Sequence, residues 1–297
     1  MRNPLIASGL LGLLLAPFGV CPTFAQSAPA RPGMTGDFET HRAFPSKFLP
    51  TPRDLIVYLP PGYRDGTQRY PVFYMHDGQN LFDPATAFAG NEWHVDEVAA
   101  ELIAAGKIEP LIIVGIYNTG RERTQEYTSG LGDKPPLYAQ LVVEEVKPFI
   151  DTHYRTLAAP DDTGLGGSSL GGLVSIAMGL RYPGVFGKLA IVSPSVWWDN
   201  RVILRELAGF RGPERPRIWL DIGTAEGNTP AKTVDDTRML RDALIEKGWK
   251  PEANLHYFEA EGAGHNEKAW SQRIGPILQY LFPPLARPPG KKNSPRR

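Results

Sequence analysis

Apolar positions along the chain follow two rhythms. Six short, continuous runs, DLIVYLP (54–60), YPVFYMHD (70–77), LIIVGIY (111–117), KLAIVSP (188–194), RIWLDIG (217–223) and NLHYFEA (254–260), have the length and unbroken hydrophobicity of strands buried on both faces. Between them, apolar residues recur at helical spacing over 93–105, 138–152, 170–180, 233–247 and 267–282. Repeated alternation of strand and helix predicts an α/β fold, a doubly wound and mostly parallel central sheet with helices on both faces. Neither an internal repeat nor a Ser/Gly linker interrupts the pattern, so residues 30–282 read as one domain.

The two ends do not follow these rhythms. Arg2 precedes an apolar run from Leu5 to Ala16, and Thr23 to Gln26 offers small residues at positions −3 and −1 of a cut after Ala25. Residues 1–25 therefore read as a secretory signal peptide, and the expected location is secreted or periplasmic. The run is too short, and too close to Pro17, for a membrane span. Val20 before Cys21 disfavours a lipoprotein cut. Cys21 is the only cysteine, so a chain cut after Ala25 has no disulfide, thiolate metal site or cysteine nucleophile.

Residues 283–297 form a basic tail, expected to be disordered, with five bases and no acid. The chain has 32 Lys and Arg and 32 Asp and Glu. Setting aside Arg2 and the five tail bases leaves 26 bases against 32 acids, a net charge of −6. An acidic body argues against nucleic acid as a partner.

Between the second and third helical stretches, GLGGSSLGG (164–172) crowds glycines around two serines. So many glycines imply a bend too sharp for side chains. GSSLG (167–171) satisfies G-x-S-x-G with Ser169 at the centre, the pattern of a nucleophile elbow when a strand precedes it and a helix follows. A helix N-terminus there also favours developing negative charge. The alternatives are a Ser N-cap on a Gly-rich helix entry and a phosphate-cradling loop. The latter lacks the lysine of G-x-x-x-x-G-K-[ST].

A serine needs a base, and a triad in this order runs Ser, acid, His. After Ser169 the chain offers His256, inside a predicted strand, and His265, in a Gly-flanked loop between the last strand and the last helix. His265 is the expected base. Glu226, just past the strand 217–223, is the expected acid. Asp235 and Asp236 in the next helix remain alternates, as does a Ser–His dyad without an acid. The oxyanion needs two donors. The N–H of Leu170 follows the nucleophile, and the N–H of Gln79 lies past the strand 70–77, where Gly78 lets the backbone turn. His76 reads as structural. The histidines lack a ligand spacing such as H-E-x-x-H, and neither a metal nor a cofactor is called for.

In order along the chain, HDGQNLFD, NEWHVDE, GGSSLGGL, SPSVWW, DIGTAEG and GAGHNEKAW resemble the putative-esterase family of α/β-hydrolases. That group holds esterase D, feruloyl and acetyl-xylan esterases, enterochelin-type esterases and mycolyltransferases. The resemblance spans about residues 55–282. It implies an α/β-hydrolase fold with Ser169 as nucleophile, His265 as base and Gln79 as second oxyanion donor. Many relatives carry Asp at the acid position, so Glu226 is a departure. Trp197 and Trp198, just past the strand 188–194, are expected to bind an aromatic acyl group or a sugar. In GRERTQEYT, an Arg–Glu brace among Arg121, Arg123 and Glu126 is expected.

The expected activity is therefore that of a serine carboxylesterase acting on a small-molecule or carbohydrate ester, whether carbohydrate-linked acyl, hydroxycinnamoyl or lactone. Acyl transfer to an alcohol by the same residues, and a non-catalytic binding protein on this fold, are the rival readings. Neither the natural ester nor the oligomeric state is legible in the chain.

Overall fold

The computed structural model describes residues 33–128 and 136–284. The expected leader, with Cys21, and all but the first two residues of the expected tail lie outside the described residues. Eight strands form one sheet: β1 (Asp37–Phe44), β2 (Arg53–Leu59), β3 (Val72–His76), β4 (Ile112–Ile116), β5 (Thr163–Ser168), β6 (Lys188–Val192), β7 (Arg217–Gly223) and β8 (Leu255–Ala260). Their spatial order is β1-β2-β4-β3-β5-β6-β7-β8. The β1–β2 and β2–β4 pairs are antiparallel and the other five parallel.

Side chains alternate across the sheet, as period-two geometry requires. Leu55, Val57 and Leu59 of β2 join one apolar cluster, while Ile56 and Tyr58 join the other. The first cluster is covered by α3 (Leu137–Gln140), a π-helical stretch (Leu141–Val146), α4 (Lys147–His153), α5 (Leu170–Arg181), α6 (Trp198–Gly209) and α7 (Pro230–Glu246). The second lies under α1 (Val95–Ala104) and α9 (Ile274–Leu281). Two short helices, α2 (Arg123–Thr128) and α8 (Glu267–Ser271), stand at the carboxyl edge of the sheet beside the loops that follow β3 and β8. No helix among the described residues is long and apolar enough to cross a membrane.

Four features depart from the sequence reading. β1, a half-exposed edge strand, lacks a clear apolar rhythm. β5 is TGLGGS, the least strand-like composition in the sheet, yet it is buried throughout. α6 begins through three residues in left-handed conformation, Asp199, Asn200 and Arg201. The helix expected over 267–282 breaks at Gln272 and Arg273, where Arg273 turns its guanidinium inward to Asp221 at 2.8 Å.

Candidate active site

Parallel strands deliver their following loops to one edge of the sheet, and open α/β sheets bind ligands there. The loops after β3, β5, β6, β7 and β8 carry Gln79, Ser169, Ser193 with Ser195, Glu226 and His265.

Ser169 stands between β5 and α5 with φ 59° and ψ −122°. None of the surrounding glycines, 166, 167, 171 and 172, has positive φ, so the strained residue is the serine itself. The glycines serve close approach instead. A Cβ on Gly167 would meet the Gly171 backbone at 3.2 Å and His76 Cβ at 3.1 Å. Strand and helix thus cross with no room for a side chain. The sharp turn frees the Ser169 side chain, and its own N–H bonds Val192 O at 3.0 Å.

Ser169 Oγ lies 2.9 Å from Nε2 of His265, and His265 Nδ1 lies 2.7 Å from Oε2 of Glu226. The acid is buried while the imidazole is about one-third exposed. Neither alternate acid is engaged with His265. Asp236 bridges Arg201 and Lys232, and Asp235 is exposed beside Arg238. His256 stacks on Trp219 and faces Glu252.

The loops after β7 and β8 are laced together, which fixes the acid against the base. Thr224 N–H bonds Ala260 O, Ala225 N–H bonds Ala263 O and Gly262 N–H bonds Thr224 Oγ1. A Cβ on Gly223 would fall 2.3 Å from Ala263 O and 2.7 Å from Glu226 Oε1, so only glycine lets the two loops touch.

Several contributors were invisible in the sequence. The N–H of Gly223 and the hydroxyl of Ser193 both donate to Glu226 Oε1, at 2.8 and 2.5 Å. Ser193, at φ 42°, in turn accepts from Trp270 Nε1 and Arg273. Arg273 bonds Asp221, which also accepts from Trp219 Nε1 at 2.7 Å. Burial pushes the Asp221 carboxyl up to about 6, against the pull of Arg273 and its hydrogen bonds. Trp270 packs edge-on to His265, ring centroids 4.9 Å apart. Ser195 Oγ stands 3.3 Å from Ser169 Oγ. The only sequence signal for these residues was the pair of serines in SPS at the end of β6.

Gln79 lies in a single 3-10 turn, Gly78–Asn80, entered through Asp77 at φ 57°. Asp77 is buried and holds this turn down. It accepts both Arg123 Nε and Nη2 at 2.7 Å, Asn118 Nδ2 at 2.7 Å and the Tyr127 hydroxyl at 3.0 Å. Burial raises its carboxyl, but Arg123 and Asn118 outweigh that and hold it below its ordinary value. The expected Arg–Glu brace is thereby corrected: Arg123 serves Asp77, while Glu126, three residues on along α2, takes Arg53 from the base of β2 at 2.9 Å. Leu170 opens α5, so its N–H has no intrahelical acceptor. His76 is fully buried, with Nδ1 2.8 Å from the Tyr138 hydroxyl. Of the two tryptophans, Trp197 is 52% exposed, whereas Trp198 packs partly against the larger apolar cluster.

A hydroxyl, an imidazole and a buried carboxylate joined in this order can move a proton from serine to histidine as the serine attacks a carbonyl. The fold and this row define the chain as a serine hydrolase of the α/β-hydrolase class, acting on carboxylic ester bonds. The profile of the putative esterase family matches residues 46–281, and the chain belongs to that family.

An uncharacterized protein, YbbA, of Bacillus subtilis is 26% identical over 264 residues, covering 84% of this chain and 97% of that protein. An endo-1,4-beta-xylanase/feruloyl esterase of Xylanibacter ruminicola is 25% identical over 76% of this chain and 29% of its own length. The enterobactin esterase of Shigella flexneri, solved in the presence of enterobactin, superposes with a TM-score of 0.69 at 20% identity, over 86% of this chain and 62% of that one.

Proposed function

We propose that residues 30–282 form an exported serine carboxylesterase that works through an acyl-enzyme. In this reading Ser169 Oγ attacks the ester carbonyl while His265 Nε2 takes its proton. The N–H groups of Leu170 and Gln79 receive the oxyanion. His265 then donates the proton to the leaving alcohol, and afterwards activates the water that releases the acid and frees Ser169. Glu226 holds the His265 tautomer with Nδ1 protonated and stabilises the imidazolium. The observation that carries the reading is the hydrogen-bonded row from Glu226 through His265 to a serine held at positive φ on the strand–helix turn.

The substrate we infer has a planar aromatic acyl group or a sugar that lies on the exposed face of Trp197, with Trp198 supporting it from below. Names of relatives, a feruloyl esterase and an enterobactin esterase, support an ester of that kind. A panel of acetyl, feruloyl, short-chain and lactone esters, assayed with wild type and Trp197→Ala, tests this. An aromatic ester should lead the panel, and Trp197→Ala should raise its KM while sparing acetyl esters. Equal loss on all esters would overturn the role of Trp197.

A further inference from the structure

Behind the hydrolytic row, the loop entering α1 and the first turn of that helix carry a second set of chemistry-bearing side chains, Glu92, His94 and Glu97. Glu92 Oε1 and Glu97 Oε1 each stand 3.6 Å from Nδ1 of His94. One ligand atom from each residue lies within 4.8 Å of the other two. Separations of 3.6 Å are too long for hydrogen bonds. They are close to the edges of a coordination shell, since ligands about 2.0–2.2 Å from a shared ion sit roughly 3–3.5 Å from one another.

The backbone holds this arrangement from both sides. Trp93 N–H bonds Asn80 O at 2.9 Å and Val95 N–H bonds Leu81 O at 3.1 Å. Between them His94 takes φ 54°, at the position that opens α1, with Glu97 three residues further along.

Acids beside an exposed histidine are common and mean little alone. A second and independent observation is the burial of Glu92. Its side chain is 3% exposed, and its Oε2 has no hydrogen-bond partner. Asp96 and Glu97 bond each other through their carboxyls, so the orphan oxygen is that of Glu92, and no Lys or Arg is paired with Glu92 or Glu97 among the described residues. Buried carboxylate oxygens are ordinarily satisfied, so the orphan oxygen of Glu92, beside an imidazole and a second carboxylate, calls for a cation.

We propose that Glu92, His94 and Glu97 bind a divalent transition-metal ion. A mixed imidazole–carboxylate set suits zinc best, whereas calcium prefers oxygen ligands alone. The more exposed side, at His94 and Glu97, leaves a coordination position to solvent. The ion clips the loop onto the first turn of α1. Trp93, between two of the ligands, packs on Trp270 at 5.8 Å, and Trp270 packs on His265, so the clip lies one layer behind the hydrolytic histidine.

The test uses the full chain, stripped with a chelator and then dialysed against zinc, with bound metal counted per chain and thermal unfolding followed. One zinc per chain is expected. At zinc 100-fold above its Kd, Tm should rise by about 5 °C or more. His94→Ala and Glu92→Gln should each lose both ion and shift, while His265→Ala should keep both. Retention of zinc by His94→Ala, or its loss in His265→Ala, would overturn the assignment. So would a stripped chain that takes up no metal, in which case protons satisfy the carboxylates. If Glu92→Gln does not fold, the more exposed His94→Ala decides the matter alone. Calcium binding that survives His94→Ala would likewise overturn it.

Discussion

At the scale of single residues, the site concentrates strain and charge where the chemistry needs them. Ser169 occupies a backbone region in which an L side chain is disfavoured. Ser169→Gly should therefore be more stable than Ser169→Ala by roughly 1 kcal/mol, a comparison in which both variants lack the hydroxyl. Urea denaturation of the pair checks this. Glu226 accepts two donors at Oε1 and His265 at Oε2. In Glu226→Gln an amide group must face either those donors or His265. Turned toward His265 it donates to Nδ1 and imposes the wrong tautomer, so kcat should fall by about 10³-fold or more with the fold intact. Asp235→Asn and Asp236→Asn, whose carboxylates are engaged elsewhere, should keep kcat near wild type.

The residues of the central row were legible because each sits in a short, Gly-flanked motif with a fixed chain order. Ser193, Arg273 and Asp221 were not. They meet only after β6, β7 and the break before α9 are assembled, and beyond the SPS that follows β6 nothing local marks them.

Among elements, the decisive contact is between the loops after β7 and β8. Gly223→Ala would drive a methyl into Ala263 O and the Glu226 carboxylate. Activity should drop by on the order of 10²-fold from misplacement of the acid, with a stability loss of about 1–3 kcal/mol. Steady-state kinetics beside chemical denaturation would separate the two effects. Six of the eight strands were readable from their apolar runs, five of them buried on both faces and β8 a half-exposed edge. β5 was hidden by its glycines, which tertiary packing demands: a Cβ on Gly164 would strike Phe282 and one on Gly166 would strike Ala190. β1 was hidden by its polar edge position, and α6 by the left-handed turn at its start.

For the molecule as a whole, the sheet does two things at once: it buries its middle and exposes its carboxyl edge. His76 at the end of β3 shows what that burial costs. Burial pushes its imidazole down to about 4, with Arg123 pulling the same way and Asp77 opposing. The unfolded chain takes up this proton near 6.5 and the folded chain only near 4, so stability falls as pH drops through that window. Comparing wild type with His76→Gln isolates the effect. Acidification from pH 7 to 4.5 should cost wild type about 2–3 kcal/mol more than the variant. Equal losses would mean that His76 is not held neutral.

The central claim is that Ser169, among the neighbouring serines, forms the covalent bond. The most direct measurement is reaction of the protein with a fluorophosphonate, followed by intact mass and peptide mapping. One adduct per chain is expected, on Ser169, absent from Ser169→Ala and greatly slowed in His265→Ala. Labelling of Ser168 or of Ser195, whose hydroxyl stands 3.3 Å from that of Ser169, or no labelling of folded wild type, would contradict it.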